Sequence, residues 1–167
     1  MKTLLLLRHA RPAPSSPTGR DFDRPLADEG RADARLVGQL LRRRALAPDV
    51  VVCSPAARAR ETIALVAEAA QLSAPTRFDA RIFDATVELL TEVISEVEDG
   101  AGVLLLVGHN PGLAELILRL TGASASLSPG TLARVELDIA EWGDLRRDVE
   151  GTGRLAFVLA PGATPED

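Results

Sequence analysis

Two histidines and two arginines stand where apolar segments of this sequence give way to polar ones. His9 and His109 are the only histidines in the chain; Arg8 directly precedes the first, and Arg58 follows a third apolar segment. Arginine offers a planar fork of donors that matches phosphate oxygens, and a neutral imidazole is a competent nucleophile at neutral pH. The four residues together predict a site that binds and attacks a phosphoryl group, with either histidine as the nucleophile.

Other chemistries fit these residues less well. Two histidines and an aspartate could ligate zinc, but adjoining arginines disfavour a cation, and no third ligand has a diagnostic spacing. A thiolate phosphatase needs five residues between its cysteine and arginine, whereas Arg58 lies one position too close to Cys53, which we expect to be a buried, inert thiol. No glycine-rich loop ends in Gly-Lys-Ser/Thr, so no nucleotide-binding P-loop is predicted. We therefore expect neither a metal nor a cofactor.

Three apolar segments predict the strands that deliver these side chains. Leu4–Leu7, Val50–Cys53 and Val103–Val107 contain no polar alternation, which is typical of strands buried on both faces of a parallel sheet. The carboxyl ends of such strands line the ligand crevice of an open α/β sheet. Ser54 and Asn110, each followed by proline, predict helix caps at this edge, where helix N-termini favour an anion.

The remaining segments predict a single α/β domain. The further elements that we predict are helices over residues 31–45 and 87–97 and strands over residues 76–79, 132–139 and 155–159. Prolines place a surface loop over residues 12–19, at the mouth of the crevice. We predict a single-domain three-layer sandwich over residues 1–160, with a mostly parallel central sheet and helices on both faces, and a flexible tail over residues 161–167.

Composition narrows the class of protein further. The formal net charge of -5, from 19 basic and 24 acidic residues, disfavours nucleic acid or a membrane surface as a partner. No apolar run reaches transmembrane length, and the leucines before Arg8 are too few for a signal peptide. A single cysteine excludes an internal disulfide and fits the reducing cytoplasm, where we expect the protein. The oligomeric state is not indicated by the sequence.

The motifs around these residues resemble those of a known family. Leu7-Arg8-His9-Ala10, the segment from Ser54-Pro55 to Glu61-Thr62, and Gly108-His109-Asn110-Pro111-Gly112 are similar to the three signatures of the histidine phosphatase (phosphoglycerate mutase-like) superfamily. Their order and the Arg24-Pro25-Leu26 segment most resemble the short SixA-type phosphohistidine phosphatases. The resemblance implies that His9 is phosphorylated and that Arg8, Arg58 and His109 form the catalytic phosphate pocket. Ala10, where the family has glycine, is implied to bring its backbone close to the phosphate.

The resemblance also bears on the substrate. The chain is too short for the long insertions that cover the site in larger members, so an open site is expected, suited to a protein-borne phosphate. We expect a phosphorylated protein or a small phosphate compound as partner, with phosphohistidine on a protein preferred. A small-molecule phosphomonoesterase and a non-catalytic phosphate-binding module stay open. An esterase needs a general acid, for which Asp79, Asp84 and Glu88 are candidates; Asp84 is the strongest, although a solvated turn carboxylate is the more economical interpretation.

Overall fold

The computed structural model describes residues 1–147 and 149–164, and its framework is one six-stranded sheet. The strands are β1 (Lys2–Arg8), β2 (Val50–Cys53), β3 (Thr76–Phe78), β4 (Val103–Gly108), β5 (Leu132–Leu137) and β6 (Gly153–Leu159). Their order across the sheet is β3-β2-β4-β1-β5-β6. All neighbours pair in parallel except at β5, which is antiparallel to both β1 and β6. The predicted mostly parallel sheet, with two later strands on its flank, is confirmed.

Helices cover both faces of this sheet. The α-helices are α1 (Asp28–Arg43), α2 (Ala57–Ala70), α3 (Val87–Ser95) and α4 (Gly112–Thr121), and short 3-10 helices span Asp21–Asp23, Ala80–Ile82 and Trp142–Arg146. Leu5 and Leu7 of β1 join the core formed with α1 and α2, whereas Leu4 and Leu6 join the core formed with α3 and α4. All four leucines are completely buried. An unbroken aliphatic strand is therefore stable because each face has its own helical layer, which confirms the three-layer sandwich.

Strand register brings the ends of three strands into line. In the parallel pair β1–β4, Arg8 lies opposite Gly108, and on the other side of β4, Cys53 of β2 lies opposite Val107. The residues that directly follow these strands, including His9 and His109, therefore meet at one edge of the sheet. This common edge is the crevice that the sequence predicted.

The starts of two helices differ from prediction. We expected Ser54 to cap α2 and Asn110 to cap α4, but α2 begins at Ala57 after Ala56, and α4 begins at Gly112 after Pro111. The side chains of both predicted caps have other partners: Ser54 Oγ lies 2.7 Å from a ring nitrogen of His109, and Asn110 Nδ2 donates to a loop carbonyl at 3.0 Å. Both side chains therefore bond to residues of other segments at the crevice, and neither residue is the N-cap of its helix.

Helix α1 begins earlier than expected, at Asp28. Its first turn contains Gly30, and a Cβ atom at that position would lie only 2.2 Å from the carbonyl oxygen of Arg11. Glycine therefore lets the helix start pack directly against the chain that leaves β1. The helix ends at Arg43, two residues before Ala45, which has a left-handed backbone (φ 52).

The chain after β6 was predicted to be a flexible tail. In residues 161–164 of that segment, Ala163 packs against the core on the α1 side. Residues 165–167 lie outside the described part of the chain, so the tail stays a prediction. None of the helices in the described part of the chain combines the length and the apolar character that a membrane span requires.

Candidate active site

His9 is held by its own backbone neighbour. It directly follows β1 and is almost fully buried, at 5% exposure. Its Nδ1 lies 2.7 Å from the carbonyl oxygen of Ala10, an atom that can only accept, so Nδ1 carries the ring proton and Nε2 carries the lone pair. Burial lowers the pKa of His9 to about 4. The hydrogen bond with the Ala10 carbonyl acts in the opposite direction, and the positive charges of Arg58, Arg8 and Arg24 add to the lowering. At neutral pH the ring is therefore neutral.

Arg58 faces the free nitrogen of His9. It lies in the first turn of α2 and is only 7% exposed. Its Nε donates to His9 Nε2 over 3.3 Å. The guanidinium also donates to the backbone carbonyl of Asp21 through Nη1 (2.8 Å) and to the Asp21 carboxylate through Nη2 (3.0 Å). A rigid cationic fork thus lies against the lone pair that could attack a substrate.

His109 completes a pair of imidazoles. Its ring centroid lies 5.0 Å from that of His9, with the planes inclined by 52°. Its Nε2 lies 2.7 Å from Ser54 Oγ, which in turn accepts from the amide of Ala56 at 3.3 Å. Burial lowers the pKa of His109 to about 3, and the nearby His9 and Arg58 lower it further. The second imidazole is therefore also neutral at neutral pH.

Arg8 and its surroundings leave polar atoms free for a ligand. Arg8 Nη1 donates to the carbonyl of Leu127 at 2.8 Å, which fastens the β4–β5 connection beside the crevice. Among the described residues, Arg8 Nε, His109 Nδ1 and Asn110 Oδ1 are buried without a hydrogen-bond partner. Buried polar atoms usually have partners, and these three belong to residues at one edge of the sheet. The crevice is therefore suited to a polar ligand.

Sequence reasoning missed an ion pair between an aspartate and an arginine at the crevice. Asp21 and Arg24 belong to the loop that follows His9, and Arg24 Nη1 donates to Asp21 Oδ1 at 3.0 Å. The positive charge of Arg24 also helps to lower the pKa of His9. The signal that could have found them is the dense run of charges from Arg20 to Arg24, which is unusual inside a loop of prolines and small residues.

An aromatic wall connects this loop to His109. Phe83 packs edge-on against the ring of His109, with centroids 5.4 Å apart, and Phe22 packs edge-on against Phe83 at 5.1 Å. The guanidinium of Arg58 lies 5.8 Å from the Phe83 ring centre. Edge-to-face contacts of this kind orient rings as well as bury them, so the wall holds His109 in place from the side of the loop.

Ala10 contributes through its carbonyl. That carbonyl fixes the ring of His9, while the Ala10 amide donates to Thr62 Oγ1 at 3.0 Å. Thr62 Oγ1 itself donates to the carbonyl of Arg58 at 2.6 Å, so one hydroxyl links the chain after β1 to the helix that carries the arginine. The Ala10 amide therefore already has a hydrogen-bond partner. The expected approach of the Ala10 backbone to phosphate stays a prediction.

The remaining candidate residues, a cysteine and three carboxylates, are not part of the group around His9. The predicted burial of the Cys53 thiol is confirmed, and burial raises its pKa to about 12, so the thiol is protonated at neutral pH. Asp79 caps the Ala80–Ile82 turn and pairs with Arg81 at 2.8 Å, and the carboxylate of Glu88 pairs with Arg119 at 2.8 Å. Asp84 is exposed, with a positive φ of 56. Among the described residues, no group of three or more acidic, histidine or cysteine side chains could hold a metal ion.

The geometry supports nucleophilic attack on an anion. A buried, neutral imidazole presents a lone pair from a fixed ring, and a guanidinium fork lies beside that lone pair. A second imidazole and a second arginine line the same edge. Such a set can attack a phosphorus atom with one nitrogen and hold the phosphoryl oxygens with the charged and neutral donors around it.

Comparisons with known proteins agree with this geometry. The model of the histidine phosphatase superfamily (branch 1) matches residues 4–85, which include His9 and Arg58. An uncharacterized protein of Mycobacterium tuberculosis is 38% identical over 126 residues, covering 73% of this chain and 76% of that protein. A structure from Nakamurella multipartitia assigned as phosphohistidine phosphatase SixA is 31% identical, with a TM-score of 0.81 and 97% of each chain covered.

A second solved structure shows the same likeness. The protein from Agrobacterium tumefaciens, also assigned as phosphohistidine phosphatase SixA, is 27% identical with a TM-score of 0.80, covering 96% of this chain and 98% of that one. The fold thus agrees with these two structures along nearly the whole chain. The chain belongs to the histidine phosphatase superfamily and is of the SixA type.

Proposed function

We propose that the protein is a phosphatase that works through a phosphohistidine intermediate on His9 and that its substrate is phosphohistidine carried by a protein. The observation that carries this proposal is the fixed tautomer of His9. Because Nδ1 donates to Ala10, the lone pair is on Nε2, which lies 3.3 Å from Arg58 Nε. A low pKa keeps that lone pair free of a proton throughout the neutral range.

The reaction takes place in two displacements. In the first, His9 Nε2 forms a bond to phosphorus while the bond from phosphorus to the leaving nitrogen of the substrate breaks; the substrate ring, protonated on its other nitrogen, leaves as neutral imidazole. In the second, a water oxygen attacks the same phosphorus, the bond to Nε2 breaks, and inorganic phosphate leaves with His9 restored. Arg8 and Arg58 hold the phosphoryl oxygens, and His109 donates to them as negative charge develops.

The carboxylates around the site favour a phosphohistidine substrate. Expelling an alkoxide from a phosphate ester needs a positioned acid, whereas imidazole is a far less basic leaving group. Asp21 is held as a carboxylate between two arginines, and its pKa is lowered mainly by the hydrogen bond from Arg24, so it is a poor proton donor. The relatives from Nakamurella and Agrobacterium, assigned as phosphohistidine phosphatases, support the same substrate class.

The decisive experiment is to trap the intermediate. The protein is mixed with a phosphohistidine peptide, quenched in alkali, digested and analysed by mass spectrometry, with His9→Gln as the matched variant. We expect an acid-labile phosphate on His9 in the wild type and none in the variant. Phosphate found on His109, or turnover without any phosphoenzyme, would contradict the assignment of the nucleophile.

The same material separates the alternative functions. Comparing turnover of the phosphohistidine peptide with that of a simple alkyl phosphate shows which leaving group the site accepts. We expect rapid release of phosphate from the peptide and slow release from the ester. Binding of the peptide without any release of phosphate would indicate a phosphate-binding module instead of an enzyme.

A further inference from the structure

The carboxylate of Asp21 lies between two arginines at the mouth of the crevice. Oδ1 accepts from Arg24 Nη1 at 3.0 Å, and Oδ2 accepts from Arg58 Nη2 at 3.0 Å. The two partners differ in exposure: the Arg58 side chain is 9% exposed, whereas that of Asp21 is 57% exposed. The contact therefore joins a fixed, buried cation to a carboxylate on a solvent-facing turn.

The Arg58 atom that binds the Asp21 carboxylate also belongs to the edge of the guanidinium that faces His9. Nε and Nη2 form that edge, and Nε donates to His9 Nε2. Asp21 lies at the adjoining edge, where Nη1 donates to its carbonyl and Nη2 to its Oδ2. A phosphoryl group in front of His9 Nε2 would place an oxygen on the fork of Nε and Nη2, because arginine binds such groups through two parallel N–H donors.

We propose that the Asp21 carboxylate occupies, in the free protein, the position on Arg58 that a phosphoryl oxygen takes during the reaction, so that substrate must displace it. The proposal rests on the proposed function, since it takes Arg58 as a phosphoryl ligand. The carboxylate and the phosphoryl oxygen are both anionic acceptors, and two anions that approach the same Nη2 atom repel each other. Asp21 therefore competes with both the substrate and the phosphate product.

The exposed turn that carries Asp21 can yield without disturbing the core. The 3-10 helix Asp21–Asp23 has no buried residue, and Arg24 binds the other carboxylate oxygen. When Asp21 leaves Arg58, its contact with Arg24 can persist, so the displaced carboxylate stays neutralised. The Arg58 side chain, in contrast, is ordered by its donation to the Asp21 carbonyl and is presented to a ligand in a preset orientation.

A purely structural role for Asp21 predicts the opposite result from competition. If the carboxylate only orders Arg58, its loss weakens the binding of an anion, because the fork becomes less well placed. If it competes for the fork, its loss tightens the binding. Changing the carboxylate to an amide, Asp21→Asn, keeps the size and an acceptor oxygen but removes the charge, so the sign of the change in affinity separates the two roles.

The test measures tungstate binding to the full-length protein by calorimetry, with inhibition of turnover by inorganic phosphate as a second readout. For Asp21→Asn we expect tungstate to bind about threefold to tenfold more tightly than to the wild type, since a half-exposed ionic competitor is removed. Phosphate should inhibit the variant more strongly by a similar factor. Unchanged or weaker tungstate binding by Asp21→Asn would overturn the proposal.

A matched control lies two residues away. Asp23 belongs to the same turn, but its carboxylate accepts from Thr18 Oγ1 at 2.5 Å and does not contact Arg58. Asp23→Asn should leave the tungstate affinity within about twofold of the wild type, as expected for a surface charge outside the site. Tightening by Asp23→Asn equal to that of Asp21→Asn would show a general charge effect and overturn the proposal.

Arg58→Ala distinguishes this inference from the proposed function. If Arg58→Ala weakens tungstate binding while Asp21→Asn fails to tighten it, the phosphate pocket stands and only the competition is wrong. If tungstate binds to the wild type and to Arg58→Ala equally well, Arg58 is not a phosphoryl ligand, and both the competition and the role of Arg58 in the proposed mechanism are wrong.

Discussion

The two histidines differ most clearly in their hydrogen bonds, although His9 is buried and His109 only half-buried. Both directly follow parallel strands of one sheet, both have a pKa well below the ordinary 6.5, and their rings lie 5.0 Å apart. His9 is anchored through Nδ1 to a backbone carbonyl and presents Nε2 to Arg58. His109 is anchored through Nε2 to the Ser54 hydroxyl, and its Nδ1 has no partner among the described residues.

In the proposed mechanism, hydrogen-bond partners distinguish the chemical roles of the two histidines. A carbonyl can only accept, so it fixes which nitrogen of His9 carries the lone pair. A hydroxyl can donate or accept, so Ser54 leaves both tautomers open to His109. The first arrangement suits a nucleophile that must always present the same atom. The second suits a group that donates to an oxygen whose charge changes during the reaction.

Replacing each histidine in turn gives the largest expected contrast. His9→Gln should abolish phosphoenzyme formation and lower turnover by several orders of magnitude, as expected for loss of a covalent nucleophile. His109→Gln should lower the rate by about 100-fold but still allow slow phosphorylation of His9, because it removes one donor to the transition state. The measurement is single-turnover kinetics with a phosphohistidine peptide, supported by circular dichroism to confirm folding. Equal residual rates in the two variants would remove the distinction between the roles.

Replacing the two arginines should give a smaller contrast than replacing the two histidines. Arg58 contacts His9 directly, whereas Arg8 is partly committed to the carbonyl of Leu127. Arg58→Ala should therefore weaken tungstate binding more than Arg8→Ala, by about tenfold to 100-fold for the loss of a charge-assisted fork. Arg58→Lys, which keeps the charge without the fork, should recover only part of the loss. Tungstate affinity unchanged in both alanine variants would place the anion site elsewhere.

Ser54 tests the anchor of His109. Ser54→Ala removes the hydroxyl that lies 2.7 Å from His109 Nε2 and leaves the ring to be held by Phe83. Because the side chain acts by positioning another residue, we expect kcat to fall by about tenfold with little change in KM, in the range seen for outer-shell partners. Ser54→Thr should restore most of the rate, since it keeps the hydroxyl. A change confined to KM would instead indicate that Ser54 binds substrate directly.

The two histidines should affect the pH dependence of stability in the same way. Each has a folded-state pKa below the ordinary 6.5, at about 4 for His9 and about 3 for His109, so the unfolded chain binds protons that the folded protein excludes. The stability contributed by the neutral rings is complete above pH 6.5 and is lost as pH falls from there through these lowered values. We expect the His9→Gln/His109→Gln double variant to lose less stability than the wild type between pH 6.5 and 4.5 in denaturant titrations. Parallel losses would mean that neither ring is buried in its neutral form.

The strands and their end residues could be predicted because the signal is local. Leu4–Leu7 has no polar residue, and a strand of that kind is stable only between two helical layers, so the fold class and the position of His9 follow directly. The helix starts at Ser54 and Asn110 were predicted wrongly for one reason: both side chains bond across the crevice, to His109 and to the carbonyl of Leu127. Local capping rules contain no information about such partners.

Asp21 and Arg24 were missed for a related reason. They lie in a loop with no periodic pattern, and their place beside Arg58 depends on how residues 12–25 fold back over the edge of the sheet. That path is fixed by long-range contacts, such as the isolated bridge between Pro12 and Leu26 and the close approach of Gly30 to Arg11. Sequence spacing alone shows neither contact.

Replacing Asp84 should have the smallest effect on turnover of all these substitutions. It lies next to Phe83, which packs on His109, but its own side chain is exposed and makes no hydrogen bond with the described residues. Because phosphohistidine hydrolysis needs no strong acid, Asp84→Asn should change the rate on a phosphohistidine peptide by less than about tenfold, below the usual range for losing a general acid. The wild type should hydrolyse alkyl phosphates poorly under the same conditions. Rapid hydrolysis of an alkyl phosphate that is lost in Asp84→Asn would instead assign Asp84 as the acid of a small-molecule phosphatase, with Phe83 holding it beside His109.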